Sequence, residues 1–409
     1  MNKKRILSII LIFSMLLMLT PQNVRSVNAA TTQIVYDYSP MLVEDGYVYY
    51  VQRIEGDQDT YKLFRLEIAT GNKTNLLSSG EDIVAMMLHN NTIYYSSYVS
   101  EKSTYQTFSV SVDTKEKKTV CNGELVSLDD KGIYTVAKRD VSKLYRREYD
   151  SKKATLLYTG NLTFNFAKNL NNTLYFSQFN EKTSKITLYT LTSEQTKLTT
   201  LTSDKLTLDG SERLDPIVSD VVIINGDLYY QYGVFEGSGN YWYGKLMRLA
   251  SKTNKKSVIV ESLYEEQINH NDSSIFYDGS LDSIDEHYKY NAKTGKISRY
   301  NYRITGSESF NILGNYTYCA KADGKGLITV SRFTSGTNGK NMDKSFINIS
   351  YKQNKKYDYS ASVRQQGDYL LIPVTAMDYN DPTYGWRGKC VGVTWFVANS
   401  DGKILTQFK

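Results

Sequence analysis

From residue 45 onward the chain repeats one local pattern: a turn dipeptide followed by a short aromatic–aliphatic run. Asp45-Gly46 precedes Tyr47-Val48-Tyr49-Tyr50, Asn90-Asn91 precedes Ile93-Tyr94-Tyr95, and Lys131-Gly132 precedes Ile133-Tyr134. Asn171-Asn172 then leads into Leu174-Tyr175-Phe176, Asn225-Gly226-Asp227 into Leu228-Tyr229-Tyr230, and Asn271-Asp272 into Ile275-Phe276-Tyr277. The last two copies are Gly314-Asn315 before Tyr316-Thr317-Tyr318 and Gly367-Asp368 before Tyr369-Leu370-Leu371. A two-residue hairpin matches strand twist only with positive φ at its centre, which Gly, Asn and Asp tolerate best. The aromatic and branched runs suit pleated strands.

A second polar turn follows each run. Examples are Ala69-Thr70-Gly71-Asn72-Lys73, Ser251-Lys252-Thr253, Ala292-Lys293-Thr294-Gly295-Lys296, Lys352-Gln353-Asn354 and Asn399-Ser400-Asp401-Gly402-Lys403. Each unit therefore reads as four strands, A to D, with tight A–B and C–D turns. Anchored on Tyr49, Tyr94, Tyr134, Tyr175, Tyr229, Phe276, Tyr318 and Leu371, successive units are 45, 40, 41, 54, 47, 42 and 53 residues apart. That spacing suits a four-stranded blade. A lone four-stranded sheet cannot bury both faces, whereas a radial array of sheets can. The expected fold class is all-β, a β-propeller of eight four-stranded blades, with seven blades and a stacked β-solenoid as the alternatives. The runs IYYSSY, LYFSQF and LYYQY, with segments such as LFRLEIATGNK, resemble degenerate YWTD-type or TolB-like propeller repeats. The resemblance implies the fold; the Trp and Asp of the YWTD motif are missing here, so no ligand or calcium site carries over.

The first residues have a different character. Lys3, Lys4 and Arg5 precede a 14-residue run, Ile6 to Leu19, apolar except for Ser8 and Ser14. As a helix that run is roughly 21 Å long, short of the ~30 Å hydrocarbon core. Pro21 ends it, and the small residues Val27 and Ala29 suit signal-peptidase cleavage after Ala29. Residues 1–29 are accordingly expected to be a signal peptide and residues 30–409 a single propeller domain. The implied destination is the extracellular space or the cell wall. Usage rich in Lys, Asn, Ile and Tyr resembles that of low-GC Gram-positive bacteria.

The formal charge of +6 falls to +2 once the four cations of the leader (Lys3, Lys4, Arg5 and Arg25) are removed. Near balance argues against nucleic acid or an anionic membrane as partner. Lysines such as Lys115, Lys117, Lys118, Lys255 and Lys256 read as solvated turn positions. Three cysteines, Cys121, Cys319 and Cys390, form neither a disulfide framework nor a zinc pattern. They read as buried free thiols, with one disulfide plus one free thiol left open.

Catalytic signatures are thin. The three histidines, His89, His270 and His287, lack metal spacing, and neither a GxSxG elbow nor a P-loop occurs. Nothing calls for a cofactor or metal; Asp378, Asn380 and Asp381 read as a turn. The B–C loops are where the units insert residues: 232–244 with Tyr241, Trp242 and Tyr243, 321–344, and 377–389 with Tyr379, Asp381, Tyr384, Trp386 and Arg387. Loops on a rigid repeat scaffold are free to carry function. Tyr241, Trp242, Tyr243, Asp381, Tyr384, Trp386 and Arg387 are therefore the candidate ligand-binding residues, because aromatics with a polar handle stack on sugars or fill a partner's pocket. Trp395 reads as core. The leading expectation is a secreted, non-catalytic propeller binding a polysaccharide or a surface protein. A propeller-type glycan hydrolase or lyase and a structural scaffold are the other two readings.

Overall fold

The structure is a computed structural model. It describes residues 40–408 except 55–59, 103, 138–139, 150, 152, 160–163, 207–215, 237–240, 264–267, 279–286, 301–308, 338–340 and 381–387. The expected signal peptide and its cleavage site lie outside the described residues.

Eight antiparallel sheets follow one another along the chain and form a propeller ring, as the repeat spacing predicts. Blades 1 to 8 span residues 41–79, 83–122, 124–159, 164–205, 217–263, 269–300, 309–350 and 358–408. In each, strand A is innermost and strand D outermost. A–B and C–D turns share one face of the disc, here the turn face. Ile68 donates its amide to the Gly46 carbonyl (2.9 Å), Val112 to that of Asn91 (3.0 Å), Ala292 to that of Ser273 (2.9 Å) and Ser335 to that of Asn315 (2.9 Å). The same bond thus joins the residue after strand C to the A–B turn in four blades. B–C loops and D–A links lie on the opposite loop face.

The dipeptide chemistry is borne out in most blades. Asp45 and Gly46, Asn90 and Asn91, Asn171 and Asn172, and Asn225 and Gly226 all have positive φ at both positions. Gly314 and Gly367 supply it at the first position alone. Blade 3 differs. Gly132 pairs with Asp129, so Asp130 and Lys131 form the loop, and neither has positive φ. The Asp129 carboxylate closes this turn by accepting the amides of Lys131 (2.8 Å) and Gly132 (3.1 Å). Glycine is needed at 132 for space, since a Cβ there would sit 2.0 Å from the Arg147 carbonyl oxygen.

One turn assignment requires correction. Lys352-Gln353-Asn354 follows strand D of blade 7 (Asp343–Ser350) and is the link to blade 8, not a C–D turn. The blade 7 C–D connection is residues 335–342. Its Gly336, at φ +75°, approaches blade 6 so closely that a Cβ would meet Phe276 Cε1 at 3.0 Å. In blade 8, strand A is split into Asp358–Ala361 and Arg364–Gln366, both paired with Tyr369–Asp378 in one unbroken register. The gap lies opposite Pro373, which has no amide to return to the ladder; Ser362 donates weakly to its carbonyl (3.4 Å).

The core sits between blades. Ile83, Met86, Ile93 and Tyr95 of blade 2 pack on Leu42, Tyr49, Val51 and Leu63 of blade 1. Similar layers join blades 2 and 3, 3 and 4, 4 and 5, 5 and 6, and 7 and 8. Each fully buried aliphatic or aromatic side chain contributes about 1.5–3 kcal/mol. The ring closes the same way. Met41, Val48, Tyr50 and Leu66 of blade 1 pack on Leu371, Trp395, Val397 and Phe408 of blade 8. Tyr50 and Phe408 lie 4.4 Å apart, centroid to centroid, and Trp395 stacks on Phe408 at 6.3 Å. Among the described residues no strand is exchanged across this seam. Trp395 is core, as expected. Cys121 and Cys319 are buried free thiols, whereas Cys390 is an exposed one.

Candidate functional site: the loop face and the inner strands

The loop face is shaped by two overlong hairpins. In blade 5, strands B (Asp227–Glu236) and C (Tyr241–Leu249) are 10 and 9 residues long. The last strand A partner is Ile217, opposite Gly233, and the last strand D partner is Leu263, opposite Gly244. Beyond those points residues 234–236 pair with residues 241–243, with Phe235 opposite Trp242, and have no other strand partner among the described residues. Tyr241, Trp242 and Tyr243 therefore belong to strand C of a paired hairpin, not to an irregular loop.

Blade 8 repeats the overshoot with strands of 10 and 11 residues, Tyr369–Asp378 and Lys389–Asn399. Strand D (Ile404–Phe408) pairs with residues 395–398, so residues 389–394 have no outer partner among the described residues. Cys390 and Val391 are exposed along that edge. The connecting loop opens with a turn in which Asp378 Oδ1 accepts the Asn380 amide (2.9 Å). Tyr379 is 50% exposed, and its ring lies over Gly388, where a Cβ would come within 2.7 Å. Asp381, Tyr384, Trp386 and Arg387 fall outside the described residues. The third expected insertion, 321–344, is not one loop. It holds a tight B–C turn closed by Asp323, which accepts the Lys325 and Leu327 amides (2.7 and 2.9 Å). Strand Leu327–Thr334 follows, and then the C–D connection on the other face.

Sequence reasoning missed a carboxyl on the same face. A single residue, Gly123, separates strand D of blade 2 (Lys117–Asn122) from strand A of blade 3 (Glu124–Asp129). At φ +151° a Cβ on Gly123 would meet the Val136 carbonyl oxygen at 2.8 Å, so only glycine fits. This link places Glu124 at the start of the inner strand beside Tyr105, whose ring meets Tyr98 edge-on at 5.3 Å. Burial pushes the Glu124 carboxyl up to about 8. Burial, followed by the Glu124 charge, raises the Tyr105 hydroxyl to about 12. Tyr98 is 38% exposed.

The inner strands carry the second cluster. Each strand A has a sheet neighbour on one side only, so half of its backbone donors need other partners. Side chains of the preceding blade supply them. Ser96 Oγ accepts the Leu125 amide (2.7 Å), Ser177 Oγ that of Val218 (3.1 Å), and Asn311 Oδ1 that of Val363 (3.2 Å). Asp220 does this and more. Its Oδ2 accepts the Ile268 amide (2.9 Å), its Oδ1 accepts its neighbour Val221 (2.8 Å), and Lys168 Nζ lies 2.6 Å from Oδ1. Lys168, Asp220 and His270 stand on the inner strands of blades 4, 5 and 6. Burial and the Lys168 charge lower the His270 imidazole, while Asp220 opposes them. Residue spacing assigned His270 no partner; the structure sets it in the electrostatic field of Lys168 and Asp220 on the preceding blades. Among the described residues no group of three or more His, Cys, Asp or Glu side chains is placed to hold a metal ion.

No family model matches the chain, and no curated protein does. Solved structures do. Oligopeptidase B from Leishmania major is similar at 13% identity and a TM-score of 0.49 over 85% of this chain. This chain spans 55% of that one. The β-propeller domain of the trilobed protease from Pyrococcus furiosus, described as having an open velcro topology, is similar at 9% identity and a TM-score of 0.44. That match covers 90% of this chain and 98% of the other. The Pyrococcus horikoshii acylaminoacyl peptidase is similar at 11% identity and a TM-score of 0.41, over 90% of this chain and 52% of that one.

Proposed function

We propose that the chain is an exported, non-catalytic propeller that binds a macromolecular partner, a polysaccharide or a surface protein, through its loop face. One observation carries the reading: the B–C hairpin of blade 5 holds Tyr241, Trp242 and Tyr243 in strand pairing, beyond the last partners of strands A and D among the described residues. Aromatic side chains carried on a paired strand lose little entropy on binding. The charged n-region, the short apolar run and the small residues at Val27 and Ala29 support export. The test is a binding screen against polysaccharides and cell-wall fractions, comparing wild type with the Trp242→Ala, Trp386→Ala double variant. Saturable binding that a folded double variant loses supports the reading. Binding unchanged in that variant refutes the assigned face, and no binding to any glycan sends the search to protein partners.

A second reading, a glycan hydrolase or lyase, draws on Glu124. A carboxyl held neutral near pH 7 is what a general acid requires. Loss of polymer length on incubation with wild type, absent with Glu124→Gln, would favour it over binding alone.

A further inference from the structure

The turn face carries an uneven charge. The C–D turns of blades 5 and 6 read Ala250-Ser251-Lys252-Thr253-Asn254-Lys255-Lys256 and Ala292-Lys293-Thr294-Gly295-Lys296, with no acid in either. The two turns are built alike. Asn254 and Gly295 occupy the positive-φ position (53° and 71°). Each donates its amide back four residues, to Ala250 and Asn291 (both 2.8 Å). Forty-one residues apart in the chain, they are neighbours on the ring. Lys197 continues the series on the C–D turn of blade 4.

Three acids of this sector are already engaged, and a fourth, Asp272, stands exposed on the A–B turn of blade 6. Glu194 pairs with Lys131 (2.5 Å), Asp204 with Lys256 (2.7 Å) and Asp227 with Arg248 (2.5 Å). Lys197, Lys252, Lys255, Lys293 and Lys296 are exposed, and none has an ion-pair partner among the described residues. Blade 2 shows the balanced alternative. There Lys118 pairs with Glu116 (3.2 Å), Lys117 covers the Phe108 ring (4.2 Å), and Asp113 shares the turn with Lys115.

We propose that these five lysines form a binding arc along the rim of blades 4 to 6 for a linear phosphate polymer. Point-charge ammonium groups on flexible stems suit phosphate oxygens, whereas paired carboxylate recognition favours the arginine fork. No aromatic residue interrupts these turns, so they offer no stacking platform for nucleic-acid bases. The arc lies opposite the loop face, and the proposal is independent of the partner reading given above.

The test measures binding of inorganic polyphosphate to the purified protein by calorimetry at low and physiological salt. Wild type is compared with Lys252→Glu, Lys255→Glu, Lys293→Glu, Lys296→Glu and with the control Lys115→Glu, Lys118→Glu. The arc variant should bind at least about tenfold more weakly and show a shallower salt dependence, because counterion release scales with the phosphates contacted. The control should match wild type. Equal losses in both variants, or no binding by wild type, would overturn the arc. Equally tight binding of polygalacturonate or single-stranded DNA of the same charge would overturn its assignment to a phosphate polymer.

Discussion

Lys168 Nζ lies 2.6 Å from Asp220 Oδ1, and this pair joins the inner strand of blade 4 to that of blade 5 with side chains only 13% and 11% exposed. Asp220 also holds the Val221 and Ile268 amides, so one carboxylate touches three successive blades. Removing Lys168 leaves that charge partly buried without its counter-ion. Lys168→Met should cost about 2–3 kcal/mol in urea unfolding. Adding Asp220→Asn should recover part of the loss, and a double-mutant cycle with zero coupling would show that the pair contributes nothing.

His270 gives the fold a weakness in mild acid. Burial and Lys168 lower its folded-state affinity for protons relative to the ordinary 6.5. The unfolded chain therefore binds the proton first, and stability falls as pH drops below about 6.5. His270→Gln should flatten the melting temperature between about pH 7 and pH 5 relative to wild type. An unchanged slope would remove His270 from the account.

Glu124 acts with the opposite sign. Its carboxyl, raised to about 8 by burial, keeps its proton in the folded chain after the unfolded chain has lost its own near 4.5. Its contribution to stability is fullest below 4.5 and is lost as pH rises through about 8. Glu124→Gln should stabilise the protein at pH 8 by roughly 2 kcal/mol and change little at pH 4. Equal effects at both values would show that the side chain titrates normally.

The seam between blades 1 and 8 depends on Phe408. Phe408→Ala removes a ring that packs on both Tyr50 and Trp395, at a cost of about 3–4 kcal/mol. Amide exchange should accelerate first in blades 1 and 8, because cooperative units open where they are least supported. Uniform acceleration around the ring would show instead that the propeller opens as one unit.

The blade number was legible because most units announce themselves locally: a positive-φ turn residue and the strand after it sit within ten residues of chain. Asn90-Asn91 and Asn171-Asn172 could be read from residue type alone. Lys131-Gly132 looked the same, yet its glycine serves close packing against the Arg147 carbonyl, which no local pattern reveals. Lys352-Gln353-Asn354 was misread because links and turns share a composition. Tyr241, Trp242 and Tyr243 were read as loop because nothing in their sequence marks where strands A and D stop. Lys168, Asp220 and His270 lie some fifty residues apart in the chain, and only the radial repeat brings them together. Glu124 was silent for a similar reason: its environment is made by Tyr105 and Gly123 in three dimensions.

Each blade is one uninterrupted stretch of chain, and no strand crosses the seam among the described residues. The order in which blades are threaded is therefore separable from the ring they make. A circular permutant opened between blades 4 and 5, with Phe408 tethered to Met41 through a short flexible linker, should fold to the same disc. Such a permutant should also melt higher, since the join between blades 1 and 8 would become covalent.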